Sequence, residues 1–354
     1  MNSVLVVGTG LIGTSVALAL RAADFSVFLS DADASAARLA ADMGAGVLSG
    51  GALGSVDLAV LAVPPSAVAG TLVELQSRGA ARFYTDVASV KQLPVSAAVA
   101  AGCDMTSYVP GHPLAGREKH GPAAARADLF LGRSWALCPG PSASSEAVSC
   151  VSSLVSACGA VPVITDAATH DRWVALISHA PHVVAAAMAA RLEHADDSAL
   201  SLAGQGLRDV TRIAAGDTVL WTQILSANAV AVAAVLDAVA ADLAEAARLL
   251  ADGSGDKVAA LLETGQAGVA RIPGKHGGAP AEFAVVQVVI RDEPGELSRL
   301  FAAAGAARVN IEDIRIEHSP GLPVGVAELS VRPAEAAALL SALSAGGWSA
   351  RQFS

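Results

Sequence analysis

The sequence predicts an α/β domain built on a parallel sheet, then an all-helical domain, then a small domain of ferredoxin-like βαββαβ order. Three observations predict it. Short apolar runs alternate with Ala-rich helical segments in the first half of the chain, and long helical stretches with few strand signals follow from about Asp166 to Gly268. A Gly/Pro-rich stretch, Arg271 to Pro280, then introduces a segment where strand and helix patterns alternate again. Strands alternating with helices imply a parallel sheet covered on both faces. The implied divisions are 1–165, 166–270, a linker at 271–282, and 283–354.

In the first domain the expected strands are 4–7 (VLVV), 26–29 (SVFL), 57–63 (DLAVLAV), 82–86 (RFYTD) and 135–138 (WALC). In the last, strands are expected at 283–291, 308–317, 323–332 and 347–353, with helices at 295–306 and 334–345. A chain of 354 residues is long enough for two or three domains. Its hydrophobic fraction of 53% includes much alanine and only 4% aromatics, which points to helices packed closely on small side chains.

The formal charge of −10, with no basic cluster, excludes nucleic acid and acidic membrane surfaces as expected partners. Cys103, Cys138, Cys150 and Cys158 show no CxxC spacing and read as reduced thiols. The N-terminus lacks the pattern of a signal peptide, and Asp237, Asp242, Glu245 and Arg248 interrupt the apolar stretch Ala229 to Ala251. A cytoplasmic protein without a membrane span is expected.

The first strand ends in Gly8-Thr9-Gly10-Leu11-Ile12-Gly13, a GxGxxG between a buried strand and an apolar helix. Glycines there allow a tight turn, close approach of backbone to a pyrophosphate, and close helix–strand packing; this is the mark of a Rossmann-like dinucleotide site. Asp31 ends the second strand, 18 positions after Gly13, where a carboxylate accepts from a ribose diol and repels a 2′-phosphate, favouring NAD. Its competing reading is a helix cap, for which Ser30, Asp31 and Asp33 all qualify. Val63 and Pro64, at the end of the third strand, complete the expected cofactor set.

His112 lies in GHPLAG, where an imidazole can take a proton from a hydroxyl as hydride leaves the same carbon. A His beside Pro and Gly also reads as a turn residue. The stretch Asp86 to Lys91 (DVASVK) follows a strand and is expected to rim the same crevice. His179 and His182 in SHAPH share one helical face and point to a ligand, or to a satisfied core. No third ligand at recognisable spacing accompanies them, so no metal is expected.

Taken together, GTGLIG, DVASVK, GHPLAG with Glu118, HDR, SHAPH and RDVTRI resemble the prephenate/arogenate dehydrogenases of tyrosine biosynthesis. The terminal segment, with Asp292 to Leu297 (DEPGEL) and Val309-Asn310-Ile311, resembles an ACT domain, an amino-acid-sensing module. The resemblance implies catalysis by His112 and Ser89, with the ring hydroxyl of the substrate as their partner. It implies a substrate pocket of Arg212, for a carboxylate, with His179, His182, Trp221 and Glu118. Prephenate is the implied substrate, arogenate the alternative, and the assembly a homodimer. Asp292, Gly295 and Asn310 would form the regulatory site, for an amino-acid effector such as tyrosine. Ala180 and Arg117 depart from common family residues and bear on which substrate fits.

Two other classes compete. A β-hydroxyacid dehydrogenase would need a catalytic lysine in its helical domain, and no lysine occurs between Lys119 and Lys257. A non-catalytic, amino-acid-responsive NAD-binding protein would not need His112, Ser89 and Arg212 together.

Overall fold

The computed structural model describes residues 2–50, 54–116, 120–272, 283–318 and 323–353. They form two compact units, the first through Arg248 and the second from Leu249. In the first, β1 (Ser3–Val7), α1 (Leu11–Ala22), β2 (Ser26–Ser30), α2 (Ala34–Asp42), β3 (Val47–Leu48), β4 (Val56–Leu61), α3 (Val68–Ser77), β5 (Ala81–Asp86), α4 (Gln92–Ala100) and β6 (Tyr108–Val109) alternate along the chain. The strands pair in parallel in the order β3-β2-β1-β4-β5-β6. Strand order reverses beside β1, and an open α/β sheet binds its ligand at that switch point.

Because successive strand residues point to opposite faces, Val4, Val6, Leu58 and Val60 pack on one side of the sheet against Val16 and Leu20 of α1. Leu5, Ala59 and Leu61 pack on the other side against Leu72 of α3. The continuous apolar runs of the sequence are thus strands buried on both faces.

A separate three-stranded sheet follows, from β7 (Gly111–Pro113), β8 (Ser134–Leu137) and β9 (Val161–Ile164), with α5 (Ser145–Ala157) between the last two. The WALC strand, expected to continue the parallel sheet, is instead the centre of this one, antiparallel to β7 and parallel to β9. The pairing brings His112 opposite Ala136.

The helical part comprises α6 (Ala167–Val174), a π-helical turn at Ala175–His179, α7 (Ala180–Ala190), α8 (Asp197–Leu200), α9 (Gln205–Thr211), α10 (Thr218–Ala227) and α11 (Ala229–Ala251). By length and composition the run Ala167–Ala190 is apolar enough to cross a membrane. Its buried residues, however, include His170, Asp171, His179 and His182, the polar pattern of a helix turned toward a site.

The second unit holds α12 (Gly255–Val269), β10 (Ala284–Arg291), α13 (Glu296–Ala306), β11 (Asp313–His318), β12 (Val324–Val331), α14 (Ala336–Ala345) and β13 (Ala350–Phe353). Its antiparallel sheet runs β11-β12-β10-β13, and Val286, Val288 and Ile290 pack against Leu300, Leu339 and Leu343 of the two covering helices. The expected βαββαβ order is present, but its second strand begins at Asp313 rather than 308. Arg308 adopts φ 56°, and the amides of Arg308 and Val309 bond back to Gly305 and Ala304, a left-handed helix stop that delays the strand. Asn310 therefore precedes the strand instead of lying on it. Most of the expected linker, 273–282, lies outside the described residues.

Gly13 locks α1 onto the sheet: a Cβ there would stand 1.9 Å from the Gly8 carbonyl oxygen and 2.8 Å from the Ala62 Cβ. Gly13→Ala is expected to cost about 1–3 kcal/mol by overpacking and to weaken NAD binding. Thermal unfolding with and without NAD checks this; an unchanged melting temperature contradicts it.

Candidate active site

The β1–α1 turn forms the floor of a cleft of about 540 Å³ lined by Gly8, Gly10, Asp31, Val63 and Pro64, among others. Gly8 has φ +96°, and a Cβ on it would fall 2.2 Å from the Ala62 carbonyl oxygen, so no other residue fits the turn. Over Gly10 there is open space, with nothing within 4 Å of where a Cβ would be. Leu11 and Ile12 open α1, where the first amides have no partner inside the helix and the dipole favours an anion. These features fit a dinucleotide pyrophosphate.

Asp31 points back to the same turn, its carboxylate accepting from the Thr9 amide and hydroxyl and from the Asp33 amide. The cap of α2 is Asp33, which accepts from the Ser35 amide, so Asp31 remains a cleft residue.

Deeper in the molecule, the DVASVK segment departs from its expected place on the rim. Asp86 and Lys91 are fully buried as an ion pair. Asp86 also accepts from the Ala88 amide at 2.8 Å and the Tyr108 hydroxyl at 2.5 Å, while the Lys91 ammonium donates to the Gly111 carbonyl at 2.5 Å. A buried ion pair needs such a complete set of partners, and that need draws both side chains inward. Ser89 stays on the loop between β5 and α4, half-buried. At Gly111 a Cβ would meet Asp86 O and Trp135 Nε1, each at 2.9 Å, so a glycine lets β7 lie close to β5.

Lys91 thus holds the residue next to His112. The His112 Nδ1 stands 2.9 Å from His170 Nε2, and His170 Nδ1 stands 2.8 Å from Asp171 Oδ1. Burial, reinforced by His170, Lys91 and His179, holds the His112 imidazole well below its ordinary pKa. At neutral pH it is an uncharged base.

The helical histidines converge on one aromatic side chain. His182 stacks on Trp221 with centroids 3.6 Å apart and planes at 12°, and His179 meets the same indole edge-on at 6.2 Å. Burial pushes His179 down to about 4, with Asp171 opposing the shift and His170 adding to it; burial lowers His182 as well. His179 Nδ1 lies 3.2 Å from the Asn228 side-chain amide. Arg212 stands exposed on a 3₁₀ turn, Arg212–Ala215, that packs on α7. Buried Ala180 keeps the helix surface between the histidines small. Glu118 and Arg117 lie outside the described residues.

Residue patterns missed His170, Asp171 and Asn228 as neighbours of the site, and set Lys91 on the crevice rim rather than inside the core. HDR was visible as a motif, but His170 lies 58 positions from His112 and no local spacing links them.

A dinucleotide cleft in a chain that also holds a half-buried, neutral histidine on β7 is the equipment of an NAD-linked dehydrogenase. Residues 16–164 match the family model of the prephenate dehydrogenase nucleotide-binding domain, and residues 166–264 that of the prephenate dehydrogenase dimerization domain. The chain belongs to the prephenate dehydrogenase family, whose cofactor is NAD. It is 41% identical to the probable prephenate dehydrogenase NovF of Streptomyces niveus over 99% of both chains. Among solved structures it resembles prephenate dehydrogenase from A. aeolicus in complex with hydroxyphenyl propionate and NAD+, with TM-score 0.68 and 25% identity, covering 76% of this chain and 97% of that one. Synechocystis arogenate dehydrogenase is similar at TM-score 0.63 and 26% identity, over 75% and 98%.

Gly216 sets the aromatic stack: its Cβ would lie 2.5 Å from Trp221 Nε1 and 2.9 Å from His182 Cε1. Gly216→Ala is expected to separate the rings and lower kcat/KM for the cyclohexadienyl substrate while NAD affinity is unchanged. Steady-state kinetics with an NAD titration checks it; equal loss of both would place the effect in the fold.

Proposed function

We propose that the chain catalyses the oxidative decarboxylation of prephenate to 4-hydroxyphenylpyruvate, with His112 as the general base. The observation that carries this reading is the neutral, half-buried His112, bonded to His170 and held through Gly111 by Lys91, in a protein with an NAD cleft. His112 accepts the proton of the ring hydroxyl as the C4 hydrogen departs as hydride, which the nicotinamide of NAD accepts when bound. Loss of the C1 carboxylate as CO2 then makes the ring aromatic, and the proton returns to the phenolate oxygen. Aromatisation drives the second half, so alignment is the main demand on the protein.

Ser89 is the proposed second contact near the hydroxyl, and Arg212 the partner of a substrate carboxylate, with His179, His182, Trp221 and Glu118 completing the pocket. Arogenate is the second reading, favoured by the similarity to an arogenate dehydrogenase. The division of labour follows the residue blocks 1–165, 166–270 and 283–354, joined by 271–282. Exposed Leu176, Ile177 and Val230 on the helical part, with the dimerization-domain match, support a homodimer. Free cysteines and the biosynthetic relatives support a cytoplasmic setting.

His112→Asn is expected to lower kcat about 10²-fold or more with prephenate, leaving NAD binding intact. Since the active form is the neutral imidazole and its pKa is depressed, kcat/KM in the parent should hold through about pH 6.5, the unperturbed histidine value, and fall only well below it. Near-normal kcat in His112→Asn would sink the role; prephenate and arogenate measured side by side decide the substrate.

The terminal unit is proposed as an ACT domain that senses tyrosine. Its support is the βαββαβ order and the turn from Asp292 to Gly295, where Gly295 takes φ +91° to open α13. Asn310 donates to Glu312 at 2.7 Å and would exchange that partner for the ligand. Tyrosine should inhibit the full chain and lose its effect on a chain ending after Arg271; inhibition that survives truncation would leave the unit a structural role.

A further inference from the structure

His112 and the pair His170-Asp171 come from different parts of the first unit, β7 and α6, yet their side chains form one hydrogen-bonded file. Asp171 Oδ1 lies 2.8 Å from His170 Nδ1, and His170 Nε2 lies 2.9 Å from His112 Nδ1. A carboxylate oxygen accepts from the ring nitrogen facing it, so an imidazole with one N–H at His170 carries it on Nδ1 and presents a bare Nε2. That nitrogen accepts from His112 Nδ1–H, which leaves His112 Nε2 as the bare atom. We propose that Asp171 and His170 are positioning residues that lock His112 in the Nδ1–H tautomer, so that its Nε2 alone serves as the base for the substrate hydroxyl. The proposal rests on the reading of His112 as that base.

Asp171 is itself immobilised. Its Oδ1 accepts from the Lys91 amide at 2.8 Å and its Oδ2 from the Gln92 amide at 2.9 Å, while its carbonyl accepts from the Asn228 side chain at 2.8 Å. His170 and Asp171 are almost completely buried, so no water competes for these bonds. The carboxylate can neither turn away nor exchange partners, and the direction of the whole file follows from it. Among the described residues, the other charged or titratable neighbours of His112 are Lys91 and His179, and neither supplies an acceptor to its Nδ1.

During turnover the hydroxyl O–H bond breaks and its proton passes to His112 Nε2 while the C4–H pair leaves as hydride to the nicotinamide. The C1–carboxylate bond then breaks, its electron pair completes the ring, and the proton returns from Nε2 to the phenolate oxygen. His170 and Asp171 take no part in these bond changes. Their contribution is to hold the acceptor bare at the start and to place a fixed negative charge behind the imidazolium once it forms.

The test is ¹⁵N NMR of histidine-labelled full-length enzyme with NAD+, using His112→Asn to assign the His112 signals. The expected parent spectrum shows His112 protonated on Nδ1 and bare on Nε2. His170→Phe removes the acceptor, so His112 should shift toward the Nε2–H form and kcat with prephenate should fall about tenfold or more, with KM for NAD+ unchanged. His170→Gln, whose amide oxygen can accept, should recover part of the loss. A parent His112 protonated on Nε2, or an unchanged tautomer and kcat in His170→Phe, overturns the proposal. Should His170→Phe not fold, the parent tautomer and the glutamine variant still decide. Failure of the base reading would appear separately, as normal kcat in His112→Asn.

Discussion

Lys91 joins two parts of the molecule through opposite ends of one residue. Its ammonium, with no exposed surface, bonds Asp86 and the Gly111 carbonyl, while its backbone amide donates to Asp171. The first attachment fixes β7 against β5; the second seats α6 on the N-terminus of α4. Removing one partner of a buried pair costs about 3–5 kcal/mol because the other charge is left without compensation. Here every Asp86 oxygen is used, by Lys91, Ala88 and Tyr108, so the pair is a rigid reference point rather than a surface ornament. The place of His112 in the first unit depends on it.

The chemistry proposed for this site asks little force of the protein and much alignment. The burial that lowers the pKa of all three histidines suits that division: the proposed base His112 is half-buried, and buried His179 and His182 pack against an indole. The π-helical turn Ala175–His179 inserts an extra residue between α6 and α7, which turns His179 and His182 toward Trp221 while His170 faces β7. Such turns are uncommon and recur at functional sites. Gly216 then leaves room for the stacked rings.

The second unit solves a different physical problem. Its sheet buries one face under α13 and α14, and alternating residues of β12 are buried, as one covered face requires. Arg299 lies 5.0 Å from the centre of the Trp348 ring and also pairs with Glu296, tying the first turn of α13 to the end of the domain.

What the sequence determined by itself was everything that depends on near neighbours. The GxGxxG turn, the buried strands, the helical pattern and the βαββαβ order were legible because glycine geometry and residue periodicity act over a few positions. Residue patterns singled out His112, His179 and His182 as candidates and motif resemblance added Trp221, but neither showed how they meet. Only the tertiary structure decided that Asp86 and Lys91 go inward, that WALC belongs to a second sheet, and that Asn310 stops short of its strand. Only it placed His170 and Asp171 behind His112, across 58 residues of chain. Hydrogen bonds between such distant residues depend on how strands and helices stack, and that is settled by the burial of the whole core rather than by any local run of side chains.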